Sequence, residues 1–120
     1  RLRILCLRGD AAAARSLWDT QLAGRLLGSP AVADLERREA EALLAWVEGD
    51  DAACAAQAGR LASDNRLAAA PRALYHLLAG GALVRAGDRA AGVAHLTEAA
   101  SLAPLTFIAA RAAALTPTIP

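Results

Sequence analysis

Cys6, Cys54, His76 and His95 are the side chains of this sequence best suited to hold a soft metal ion or to form a nucleophile and its base. A structural zinc site needs four such ligands and usually takes two of them from one short turn, two to four residues apart. Here each of the four stands alone in the chain, so no metal is expected. Both cysteines are expected to be buried free thiols, and both histidines partly exposed helix residues. A GxxxxGK[ST] phosphate loop, an HExxH helix or a GxSxG elbow would each fix a reactive group on a defined turn. None of them occurs. The carboxylate pairs Glu36 with Glu39 and Asp50 with Asp51 fit surface charge and helix capping better than acid–base work. Neither enzymatic activity nor a cofactor is expected.

Binding chemistry is better represented. Glu36, Glu39, Leu43 and Trp46 recur at one-turn spacing in one helical segment, and Leu74, Leu77 and Arg85 in another. If these segments are the first helices of stacked hairpins, the seven residues share a concave groove. Trp46 could stack a sugar ring or grip a peptide side chain there. It could equally fill the core between hairpins, where Ala42, Ala45 and Ala58 leave room. Arg85 is a candidate anchor for an anion or carboxylate.

The elements that must position these residues are marked by one dipeptide. Gly9-Asp10, Gly49-Asp50 and Gly87-Asp88 recur at steps of 40 and 38 residues, from 9 to 49 and from 49 to 87. Glycine takes the positive φ that closes a helix, and aspartate accepts a bond from an unpaired N–H at the start of the next. Each pair is therefore a stop followed at once by a start, and a regular period of this size marks a helical repeat array. The helices expected are 1–8, 11–22, 30–48, 51–62, 71–86, 89–102 and 104–115. Gly24–Ser29 is read as a linker, Ser29-Pro30 as a helix start, and Pro71 as the opening of the fifth helix.

Counting from Gly87, the small or bulky positions are Gly80, Leu83, Gly92, Leu96, Ala99 and the closing Pro104. This pattern resembles the tetratricopeptide repeat, in which small residues on both helices let them pack closely. Around Gly49 the same places hold Ala42, Ala45, Cys54, Ala58 and Leu61; around Gly9 they hold Leu2, Leu5, Ala14, Trp18 and Gln21. The expected fold is an all-α, tetratricopeptide-like superhelix over 1–115. Its hairpins span about 1–23, 30–63 and 71–103, with a final helix at 104–115 and a linker tail at 116–120. Leu105, Phe107, Ile108 and Leu115 surround a single charge, Arg111, in that final helix. A capping repeat should turn a polar face outward, so this helix is expected to pack on further chain, a partner or a second copy.

Composition agrees with an array of this kind. Hydrophobic residues make up 56% of the 120 residues and aromatics only 3%. Alanine is the best helix former but buries little area, so stability must come from many close helix contacts. The net charge is +1, with every basic residue an arginine, which gives no global field to draw in nucleic acid or an anionic membrane. No stretch has the length and purity of a membrane span, and a cytoplasmic location is expected. With Arg1 falling mid-helix by pattern, the expectation is an internal segment of a longer chain.

Three runs carry a family likeness: RLRILCLRGDAAAARSLW, EALLAWVEGDDAACAAQAGRLASDNRL and LVRAGDRAAGVAHLTEAASLAP. They are similar to the helical-repeat region of large ATP-binding LuxR-type transcriptional regulators, the maltose-regulon activator class. The observed period fits that class better than the usual tetratricopeptide repeat of about 34 residues. The resemblance implies a non-catalytic regulatory domain between a nucleotide-switch ATPase and a helix-turn-helix. Its partners would be neighbouring domains and a small-molecule effector or protein. The rival reading is a stand-alone tetratricopeptide scaffold for protein–protein interaction. A co-chaperone clamp, which uses lysines, is disfavoured because the chain has none.

Overall fold

Each Gly-Asp pair turns the chain in the same way. In the computed structural model, which describes residues 2–22, 30–103 and 107–116, Gly9, Gly49 and Gly87 stand at φ +81°, +81° and +95°. The glycine N–H bonds to a carbonyl three residues back, as from Gly9 to Cys6 at 3.1 Å. The aspartate N–H reaches five residues back: Asp10 to Leu5 at 3.0 Å, Asp50 to Ala45 and Asp88 to Leu83 at 2.9 Å. This pairing satisfies the last orphan carbonyls of one helix. The aspartate carboxylate then accepts from the N–H three residues on, Ala13 and Ala53 at 3.2 Å and Ala91 at 3.4 Å, capping the next helix. Stop and start are both built from local bonds, which is why three distant parts of the chain adopt one geometry.

The turns join α1 (Leu2–Leu7) to α2 (Ala11–Leu17), α3 (Pro30–Glu48) to α4 (Asp51–Ala62), and α5 (Ala69–Ala86) to α6 (Arg89–Leu102). A final helix, α7 (Phe107–Leu115), returns onto α5 and α6. The described residues form an all-α array of three hairpins and a closing helix, without strands. Three boundaries differ from expectation, the first being that α1 ends at Leu7 and leaves Arg8 in the turn. The fifth helix begins at Ala69, so Pro71 lies inside its first turn, where a missing N–H forfeits no helical bond. The second helix ends at Leu17 and continues as a π-helical turn over Trp18–Leu22. The linker read over 24–29 with its Ser29 cap, Pro104, Leu105 and the tail 117–120 fall outside the described residues. So do the side chains of Gln21, Val32 and Phe107.

Close packing follows the small residues. A Cβ on Gly80 would stand 2.8 Å from the Gly92 carbonyl oxygen and from Leu96 Cγ, and one on Gly92 would meet Val84 Cγ2 at 2.6 Å. The backbones of α5 and α6 therefore approach closely at Gly80 and Gly92, with Leu96 and Val84 packed over the glycines. In the second hairpin Ala42, Ala45, Cys54, Ala58 and Leu61 occupy the matching buried positions; in the first, Leu2 and Ala14 do. Leu43, Leu44, Leu74, Leu77, Leu78 and Tyr75 add the bulk of the core. The last helix buries Ile108 and Ala112 and turns Ala110, Ala113, Ala114 and Arg111 outward. Ile108 thus serves the array itself with Leu115 partly buried against it, and the outward face among the described side chains is mostly methyl groups. No helix among the described residues is long and apolar enough to cross a membrane.

Candidate functional site

Trp46 lies in the last turn of α3 and Arg85 in the last turn of α5. The indole is 7% exposed and rests on bare backbone: a Cβ on Gly81 would come within 2.5 Å of its Cζ3 and Cη2. Leu115 of α7 closes the same gap, its Cδ1 3.2 Å from that Cβ position. The Arg85 guanidinium carbon stands 3.9 Å from the centre of the indole, a cation–π contact. Arg85 Nη2 donates to the Trp46 carbonyl at 3.1 Å and lies 2.8 Å from Asp51 Oδ1 of α4. The Asp51 oxygen is nevertheless buried without a hydrogen bond, so the contact is Coulombic rather than directed. One arginine thereby ties the second hairpin to the third.

Beside this stack opens a cleft of about 190 Å³, lined by Arg8, Arg85 and Arg111 with Cys6, Gly9 and Trp46 among the others. A second cleft, about 260 Å³, lies between α2, α3 and α4 and has the opposite character, with Glu41, Glu48 and Asp50 on its walls. Arg15 spans its edge, donating from Nε to Glu48 Oε2 at 3.0 Å and from Nη2 to Oε1 at 2.6 Å. That fork holds the Glu48 carboxyl below the usual range. At the far end of the first helices, Arg3 of α1 pairs with Glu39 of α3. Tyr75 of α5 faces both; burial, then the Glu39 charge, push its phenol up to about 12. The three first helices are thus linked by polar groups at this end, whereas near Trp46 the polar link joins α3 and α5.

His76 of α5 and His95 of α6 meet with Nδ1 atoms 2.9 Å apart and ring centres at 5.1 Å. Both are partly exposed helix residues, as expected, and they are also each other's partners. Burial, and for His76 the nearby His95, hold both imidazoles below their ordinary range. Both cysteines are buried and free, as expected. Burial raises the Cys6 thiol to about 11 and the Cys54 thiol to about 12, so neither is an activated nucleophile at neutral pH. No group of three or more metal-ligating side chains occurs among the described residues.

Of the seven groove residues expected, the structure brings two together, Trp46 and Arg85. Leu43, Leu74 and Leu77 are buried in the core and line no open groove. Glu36 is exposed, and Glu39 sits at the opposite end with Arg3. Trp46 is not a platform for a sugar ring, because Arg85 covers its face and the Gly81 backbone its edge. It does fill the space between hairpins, and Gly81 provides room for it there. Arg8, Asp51 and Arg111 were not anticipated as members of the site. The signal for Arg111 was present, as the only charge in an apolar helix. Compared with protein-family models, with curated proteins and with solved structures, the chain matches none.

Proposed function

We propose that the chain is a non-catalytic binding and regulatory segment of a LuxR-type ATP-binding transcriptional regulator, working in the cytoplasm. It would receive a small effector or a protein partner and pass the event to neighbouring domains. The observation that supports the reading is the seam at Trp46, Arg85 and Asp51. There a single guanidinium fixes the packing of two hairpins beside a cleft open to solvent. A ligand that engages Arg85 competes with its contact to Asp51 of the second hairpin. It would thereby favour one arrangement of the third hairpin over another, a population shift. Direct contact with nucleic acid is assigned to other parts of such a regulator, in keeping with a net charge of +1.

The test is to determine the coding sequence on both sides of this segment. A phosphate-loop ATPase upstream and a helix-turn-helix downstream are the expected result. An open reading frame with neither would overturn the regulator assignment and leave a tetratricopeptide-like interaction scaffold.

A further inference from the structure

Three of the thirteen arginines converge on the cleft beside Trp46, in a chain whose net charge is only +1. No carboxylate is among the residues that line it. Arg8 and Arg85 stand at the C-terminal ends of α1 and α5, where a cation offsets the helix dipole. Arg111 has no such reason: it lies in the middle of α7, away from either end. Arg85 is partly neutralised by Asp51, but Arg8 and Arg111 have no ion pair among the described residues. Cations gathered at one small cleft repel each other until an anion sits between them.

We propose that this cleft binds a small multivalent oxyanion, of the size of a phosphate monoester or a short dicarboxylate, held by Arg8, Arg85 and Arg111. The proposal rests on reading the chain as a binding module and names the ligand class of that site. Size limits the ligand: about 190 Å³ is below the ~300–1,000 Å³ typical of pockets for drug-sized molecules. Chemistry limits it further, since guanidinium groups present paired donors matched to carboxylate and phosphate oxygens. Arg85 is oriented in advance by the indole and by the Trp46 carbonyl, which reduces the ordering cost of binding. The three arginines come from the first hairpin, the third hairpin and the closing helix. An anion seated among them would clamp both ends of the array across the second hairpin.

The chain has two tryptophans, so a Trp18→Phe background leaves Trp46, beneath Arg85, as the sole tryptophan, excited selectively at the red edge where tyrosine does not absorb. Inorganic phosphate and succinate are titrated separately, with sodium chloride at matched ionic strength as control. Trp46 fluorescence and the thermal midpoint are followed in parallel. The expected result is a saturable change and a raised midpoint with at least one anion and not with chloride. Saturation by phosphate alone assigns a phosphate ligand, and by succinate alone a dicarboxylate. Arg8→Gln and Arg111→Gln, both at exposed positions, should each weaken binding about tenfold or more without moving the urea midpoint. No saturable response by either readout, or an affinity in either variant equal to that of the parent, overturns the proposal. Such a failure removes the cleft as a site but leaves the regulator reading to the flanking coding sequence.

Discussion

The Nδ1 atoms of His76 and His95, 2.9 Å apart, can share one proton, because one must donate and the other accept. A second proton would set two donors face to face, next to the charge of Arg72. Both folded-state values lie below the ordinary 6.5, so the unfolded chain binds protons more readily. The pair's contribution to stability is therefore complete above about pH 6.5 and is lost as pH falls through the lowered values. The urea midpoint should drop between pH 7.5 and pH 5, and His95→Gln should flatten that drop; an unchanged slope in the variant would remove the pair as its cause. This contact was legible to anyone counting from the turn, since His76 lies eleven residues before Gly87 and His95 eight after. Residues at similar distances on either side of a hairpin turn oppose one another. Arg8 and Arg111 could not be joined in that way. They line one cleft from the first hairpin and the closing helix, and no local count relates them.

At the scale of elements, the turns were the most readable part of the chain because they are made from their own residues. The limits of α4 and α6 follow directly from Asp50 and Asp88. The start of α5 did not, because proline is tolerated anywhere in a first turn and Ala68 supplies no side-chain cap. A Cβ on Gly9, Gly49 or Gly87 would meet nothing within 4 Å. The cost of alanine there is purely conformational, about 1–2 kcal/mol for leaving a non-glycine residue in the left-handed region. Gly49→Ala and Gly87→Ala should lower unfolding free energy by similar amounts in urea titrations. A difference of several-fold between them would mean that the turns are not equivalent. Groove membership was less readable than turn position. One-turn spacing put Leu43, Leu74 and Leu77 on a shared groove, but the structure buries them in the core, because burial of that face depends on the neighbouring hairpin.

The whole molecule measures 47 × 31 × 24 Å with a radius of gyration of 13.9 Å, close to the ~13.6 Å expected for a domain of this length. Its hairpins are unequally supported. The third has α4 on one side and α7 on the other, whereas the first leans mainly on α3. Cys6 in the first hairpin and Cys54 in the second are both fully buried, so each reacts only after local opening. Cys6 should be modified by a thiol reagent at least about tenfold faster than Cys54, the equivalent of ~1.4 kcal/mol less protection. Equal rates would indicate that the array opens as one unit. The three identical turns carry a further meaning at this scale. Because each joint is complete in itself, the array's angle of return is fixed while its length is not. The difference between steps of 40 and 38 residues is taken up between joints, never inside one. A chain built this way can gain or lose a whole unit by duplication or excision and still fold each remaining corner correctly.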